Sequence, residues 1–252
     1  MKMIEGGVCA AKGFTANGIH CGIRKNHSKK DLALILSAVP ASAAAVYTTN
    51  LVKGAPLVVT KNHIANGIAQ AVICNSGNAN TCNANGIEIA EAMSGLVAKE
   101  LNIAASDVIV ASTGVIGQPL SIDPIAAGLP GLAAGLSAEG GAAAAEAIMT
   151  TDTVMKEVAV EFEVGGKTCH MGGIAKGSGM IHPNMATMLV FITTDCAIAP
   201  DMLQKALSGD IANTFNMVSV DGDTSTNDMV TVLANGLAGN ETITAEGEDF
   251  EI

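Results

Sequence analysis

Gly173-Ile174-Ala175-Lys176-Gly177-Ser178-Gly179-Met180-Ile181-His182-Pro183-Asn184-Met185-Ala186-Thr187-Met188-Leu189-Val190-Phe191-Ile192 sets a glycine-rich approach against a short apolar run. Gly172, Gly173, Gly177, Gly179 and Pro183 let the approach take turns that other residues resist. Met188 to Ile192 is continuously apolar, the pattern of a fully buried strand. Thr187 stands at the seam, where a rigid element can fix its hydroxyl, and so reads as a candidate nucleophile.

Working upstream, Lys156 to Ala175 reads as a hairpin that delivers the chain into this stretch. Gly165-Gly166 is a two-residue turn. Pairing outward from it sets Phe162 opposite Cys169 and Val160 opposite Met171, all apolar and on one face. The other face pairs Glu161 with His170 and Glu163 with Thr168, so turn length and alternation agree. His170 is thereby a solvent-face partner of Glu161 rather than a catalytic base.

Further upstream, short strands are expected at Gly18 to Ile23, Leu32 to Ser37, Ala44 to Thr49 and Pro56 to Thr60. Arg24, Lys25, His27, Lys29 and Lys30 between the first two read as a solvated turn. Ala71 to Cys74 is a strand that empties into Asn75-Ser76-Gly77-Asn78-Ala79-Asn80. That loop is either a ligand site or a set of caps and turns. From Gly86 to Leu101 the apolar residues Ile89, Met93, Leu96, Val97 and Leu101 mark one helix face. Val108 to Ser112 is a strand running into Thr113-Gly114, a turn that would expose backbone N–H groups and suit an oxyanion hole. Asp123-Pro124 opens a helix with Asp as N-cap, and Gly141 to Met149 is a second, ending at Thr150. Downstream of Thr187, a helix starts at Pro200, Asn216 to Asp228 is polar loop, and Met229 to Leu233 returns to strand.

The chain of 252 residues suffices for one large domain or two small ones. It is 49% hydrophobic but only 2% aromatic, so its core must be built from Ala, Val, Ile, Leu and Met. A net charge of -11 argues against nucleic acid or an anionic membrane as partner, and makes an anionic substrate depend on a local basic group. No apolar run approaches the ~18 residues of a membrane span, and the N-terminus lacks a signal or transit pattern. Six cysteines without metal-ligand spacing read as reduced core residues of a cytoplasmic, bacterial protein. Hairpins alternating with helices point to an α/β (α+β) layered sandwich with mixed sheets.

Lys176-Gly177-Ser178-Gly179-Met180-Ile181 followed by Pro183-Asn184-Met185-Ala186-Thr187-Met188-Leu189 resembles the self-cleavage signature of the ornithine acetyltransferases, or glutamate N-acetyltransferases, of arginine biosynthesis. Lys12-Gly13-Phe14, Lys30-Asp31-Leu32-Ala33-Leu34-Ile35, Val39-Pro40-Ala41-Ser42 and Tyr47-Thr48-Thr49-Asn50 resemble the opening of the same family. The resemblance implies an N-terminal-nucleophile-like fold and a cut between Ala186 and Thr187. It implies an N-terminal segment 1–186 and the start of a second segment, 187–252, in one intertwined catalytic domain, C-terminally shortened relative to the family. Thr187 would carry the acetyl group from N-acetylornithine to glutamate in a ping-pong exchange. Thr113 and Gly114 would form the oxyanion hole, and Thr150 and Lys176 would bind substrate. No resident cofactor or metal is implied. Acetyl-CoA is an alternative acetyl donor, and the expected partners are the two cleaved chains, paired in a hetero-oligomer.

A free α-amine on Thr187 would have a pKa of about 7.7–8. It could therefore act as the base for its own hydroxyl. Three rival readings stand beside this one. The first is a self-processing aminopeptidase or amidase that hands the acyl group to water. The second is an inactive fragment needing a partner chain. The third is a metal- or phosphate-binding module built on Asp221-Gly222-Asp223 with Asp228 and on Ala175-Lys176-Gly177-Ser178, which lacks the P-loop and EF-hand spacings.

Overall fold

The computed structural model describes residues 1–180 and 188–252. These form one continuous mixed sheet of nine strands, with five helices packed against it. The strands are β1 (Lys2–Ile4), β2 (Phe14–Ile19), β3 (Leu32–Tyr47), β4 (Ile68–Asn78), β5 (Val108–Val115), β6 (Lys156–Val164), β7 (Lys167–Lys176), β8 (Leu189–Thr194) and β9 (Met229–Ala234). The helices are α1 (Ala55–His63), α2 (Gly86–Leu101), α3 (Asp123–Ala134), α4 (Gly141–Ile148) and α5 (Pro200–Asp210). The strand order is β1-β6-β7-β8-β9-β3-β4-β5, with β2 also on β3. Only β4–β5 and β8–β9 are parallel; the other pairs are antiparallel.

The hairpin forms in the expected register: Phe162 faces Cys169, Val160 faces Met171 and Glu161 faces His170. Helix α2 spans the expected residues, with Ile89, Met93 and Val97 buried. The strands expected at Leu32 to Ser37 and Ala44 to Thr49 are instead one long strand, β3. Its register against β4 shifts between Leu36 and Ala41. Pro40, which has no N–H to give a ladder, sits in that irregularity. The first half of β3 pairs with β2 and β4, and its second half pairs with β9.

Several expectations are corrected. Pro56 to Thr60 lies in helix α1, not a strand. A four-residue apolar run cannot distinguish the two, and Pro56 in the first turn favours the helix. The strand expected at Gly18 to Ile23 lies earlier, at β2, because the next residues wrap round the buried Asp31 carboxylate. Cys21 N donates to it at 2.6 Å and Arg24 N at 2.9 Å. The loop expected at Asn75 to Asn80 is strand up to Asn78, and β5 runs through Thr113-Gly114 to Val115 rather than turning there. Asp123 is the first residue of α3 rather than its cap, a role that falls to Ile122. Of the six free cysteines, Cys82 is exposed and Cys9 and Cys21 are half-buried, so only three are core residues.

Alternation along β3, β4 and β5 divides the core. Leu32, Leu34, Ala71, Ile73, Val108 and Val110 pack against α1, α2 and α3. Ala33, Ile35, Val72, Cys74, Ile109 and Ala111 pack on the other side against the alanine-rich α4. Gly18 and Gly140 permit this close packing: a Cβ on Gly18 would fall 2.0 Å from the Ala143 carbonyl oxygen, and one on Gly140 1.7 Å from that of Ala16. With almost no aromatics, small residues fill the core by close backbone approach rather than by side-chain bulk. A third cluster joins α5 to β8 and β9. Beside it an apolar groove of about 350 Å³ crosses β6, β7 and β8, lined by Val158, Val160, Met171, Ile192 and Phe215 among others. No helix among the described residues is long and apolar enough to cross a membrane.

Candidate active site

Parallel strands β4 and β5 end side by side, and their C-terminal ends open into a cavity of about 480 Å³. Strand β7 brings Lys176 to it, the loop after α4 brings Thr150, and the loop before β9 brings Thr226, Asn227 and Asp228. Thr113 and Gly114 lie in its wall. Four of the expected site residues therefore share one cavity. Ala186 and Thr187 lie outside the described residues. Met180 and Met188, which bracket that segment, both line the cavity.

The floor is built by two glycines at adjacent strand ends. Gly77 has φ +101° and Gly114 φ +134°, a region that side chains resist. A Cβ on Gly114 would fall 2.3 Å from the Gly77 carbonyl carbon and 2.6 Å from Asn78 N. This contact explains why Gly114 is glycine, and it keeps the backbone beside Thr113 bare.

Asn227, 5% exposed, fastens the floor to the β9 side. Its amide donates to the Ala79 carbonyl at 2.7 Å and the Ser112 carbonyl at 2.9 Å. Its oxygen accepts from the Thr81 and Thr226 hydroxyls, both at 2.6 Å. The Asn75–Asn80 segment is structural in the same way. Asn75 donates to Asn78 O, Asn78 to Gln118 O and Asn80 to Gly86 O. Asn227→Ala removes all four bonds and strands buried partners, which should cost roughly 3 kcal/mol. The melting temperature is expected to fall by about 6–12 °C, measured by thermal denaturation.

Lys176 is 8% exposed, so it is not a surface charge. Burial lowers its pKa, and the negative charge of Asp152 opposes the shift. Burial also pushes Asp152 up, but its donors outweigh that and hold it below the usual carboxylate range. They are Lys156 Nζ at 2.7 Å, Gly177 N at 2.7 Å and Thr150 N at 3.0 Å. Asp152 thus positions both Thr150 and the exit of β7. It also occupies the Gly177 amide, one of the N–H groups that a phosphate loop would use. Asp221 accepts from Met180 N at 2.6 Å, whereas Asp228 is buried in the cavity wall. Among the described residues no group of three or more His, Cys, Asp or Glu side chains is placed to hold a metal.

The basic patch is not wholly a solvated turn. Arg24 turns into the cavity, its guanidinium donating to the Met149 carbonyl. Its stem lies over Gly77, where a Cβ would meet Arg24 Cγ at 2.8 Å. Among the five basic residues of that patch, nothing in the sequence distinguishes Arg24. Arg24 and Lys176 supply the local positive charge that the acidic chain requires for an anionic ligand. His170 lies away from the cavity. Its Nδ1 is 2.9 Å from Asp195, and Glu161, the expected partner, is at 3.8 Å. Asp195, which also accepts His170 N at 2.7 Å, comes from beyond β8 and was invisible to the hairpin register.

The chain is 56% identical over 245 residues to an arginine biosynthesis bifunctional protein ArgJ of Symbiobacterium thermophilum. That alignment takes in 96% of this chain and 61% of the relative, so the chain spans about three-fifths of the relative's length. The crystal structure of an ornithine acetyltransferase of Mycobacterium tuberculosis, complexed with ornithine, superposes with a TM-score of 0.66 at 37% identity, covering 73% of this chain and 98% of that one. An aminopeptidase/amidase of Ochrobactrum anthropi, described as a variant of the Ntn hydrolase fold, matches with a TM-score of 0.56 at 14% identity over 93% of this chain and 75% of its own. This last likeness is one of fold alone, and it agrees with the layered, N-terminal-nucleophile-like architecture expected from the sequence. The ArgJ family model matches residues 15–251, and with a relative more than half identical this chain belongs to that family.

Proposed function

We propose that this chain carries the self-processing and acetyl-transferring centre of a glutamate N-acetyltransferase of arginine biosynthesis, acting in the cytoplasm. The observation that carries the reading is the gathering of Thr113, Gly114, Thr150 and Lys176 round one cavity that Met180 and Met188 also line. These two residues flank the Ala186–Thr187 bond in sequence. The Thr187 hydroxyl attacks the Ala186 carbonyl, and the C–N bond breaks to leave an Ala186 ester on the Thr187 oxygen and a free α-amine. Water hydrolyses the ester to release the Ala186 carboxylate, after which the amine serves as base for the same hydroxyl. The Thr113 hydroxyl and the Gly114 N–H stabilise the oxyanion of both self-cleavage and turnover, since each begins with attack on an amide. Thr187 takes the acetyl group of N-acetylornithine, ornithine leaves, and glutamate departs as N-acetylglutamate. Lys176, with Thr150, holds the substrate α-carboxylate. Acetyl-CoA can enter as a second acetyl donor, giving N-acetylglutamate directly.

Segments 1–186 and 187–252 stay paired after the cut, because β7 and β8 lie on opposite sides of the bond and are hydrogen-bonded over six residue pairs. Intact mass after expression tests the proposal. Fragments 1–186 and 187–252 are expected, with acetyl label from N-acetylornithine trapped on the second and passed on to glutamate. A single uncut, unlabelled chain defeats it, and label appearing as free acetate would make the chain a hydrolase instead.

A further inference from the structure

An exchange that runs through one cavity poses an electrostatic problem. The donor, an N-acetylated diamino acid, carries an ammonium on its side chain, and the acceptor, a dicarboxylic amino acid, carries a carboxylate. A fixed charge in the wall would attract one and repel the other in a poorly solvated site. Asp228 is placed to resolve this.

Asp228 lines the cavity and is 3% exposed. The Met188 amide and the amide and hydroxyl of Ser225 lie near its carboxyl and favour the ionised form, but burial outweighs them. Its Oδ2, also buried, has no hydrogen-bond partner among the described residues. A buried acceptor left open in a cavity wall marks the place of a missing polar partner. Among the described residues, the charged groups that share the cavity are Lys176 from β7 and Arg24 from the loop before β3. Behind Lys176 stand the Cys74 thiol of β4, Asp152 before β6 and Lys156 of β6.

We propose that Asp228 is the specificity-determining carboxyl of the cavity: ionised, its open oxygen receives the ammonium of the diamino substrate, and protonated, it donates a hydrogen bond to the side-chain carboxylate of the acidic one. This rests on the acetyl-exchange reading above. The proton balance closes over a turnover. Binding the diamino acid sends the Asp228 proton to solvent, and its departure takes one back before the acidic amino acid binds. Burial pushes the Asp228 carboxyl up to about 8, so both forms are within reach at neutral pH. Only about one molecule in ten is ionised at pH 7.

The test is calorimetry with ornithine and with glutamate on the whole chain, in buffers of different ionisation heat. Wild-type protein should release nearly one proton per ornithine bound at pH 7 and exchange almost none with glutamate. Between pH 6.5 and 8.5 ornithine affinity should rise about twentyfold while glutamate affinity falls about fourfold. Asp228→Asn should weaken ornithine at least tenfold, keep glutamate within a few-fold and abolish the opposed pH slopes. Equal slopes for both ligands in the wild type overturn the proposal whatever the variant does, as does equal weakening of both ligands in a folded variant. Binding of neither ligand by the wild type overturns the acetyl-exchange reading and this proposal together.

Discussion

Replacing Gly114 with alanine should lower the melting temperature by roughly 10 °C and slow acetyl exchange by about 10²–10³-fold. Two costs combine. Alanine at φ +134° pays backbone strain of about 1–3 kcal/mol. The new methyl would also lie 2.3 Å from the Gly77 carbonyl carbon, which is backbone and cannot rotate away. Strands β4 and β5 must then part at their paired ends, for about 1–3 kcal/mol more. For a domain of this size each kcal/mol shifts the midpoint by about 2–4 °C. Because Gly114 follows Thr113 on the same strand end, parting the strands also moves the proposed oxyanion donors, and misplacing them costs about 10²–10³-fold in rate. Gly117→Ala is the control. Its φ is +76°, but no atom lies within 4 Å of the added methyl, so only strain is paid. Differential scanning fluorimetry should therefore show a drop about half as large for Gly117→Ala. Equal drops would mean that the Gly77–Gly114 contact is not what requires glycine.

Thr187→Ala is expected to remain one chain of 252 residues and to lose acetyl exchange by a factor on the order of 10⁴ or more. Without the hydroxyl there is no nucleophile to cut the 186–187 bond. Without the cut there is no α-amine to serve as base, so one substitution removes two partners that act as a unit. Thr187→Ser keeps the hydroxyl and should still cleave, more slowly, since it lacks the methyl group that limits rotation about χ1. Denaturing electrophoresis over hours, with acetyl transfer measured on the same samples, reads both effects. A Thr187→Ala protein that splits at the same bond would place the nucleophile elsewhere in the cavity.

The elements that were legible are those whose causes lie within a few residues. The β6–β7 hairpin could be paired residue by residue, because a Gly-Gly turn fixes the register and alternation fixes the faces. Helix α2 could be bounded because its apolar stripe repeats over four turns. Pro56 to Thr60 misled because four apolar residues carry no period, and its identity as helix is settled by packing, with Leu57 and Val59 buried and the Thr60 hydroxyl on the Val110 carbonyl. The residues quoted from the self-cleavage signature and the chain's opening pointed to the family, and Thr113, Gly114, Thr150 and Lys176 were named before they met in one cavity.

By itself, then, the sequence determined the β6–β7 hairpin, helix α2, the family and the bond at which the chain is proposed to cut. Burial and charge environment were decided by tertiary structure alone. Arg24 is one of five basic residues until Gly77 lets its stem lie in the cavity, and Asp228 is one acid in a polar run until β8 and β9 pair in parallel. That pairing brings Met188 and Asp228, forty residues apart in sequence, into contact. The reason is physical: the cost of keeping a charge depends on how much water its neighbours remove, and those neighbours come from strands distant along the chain.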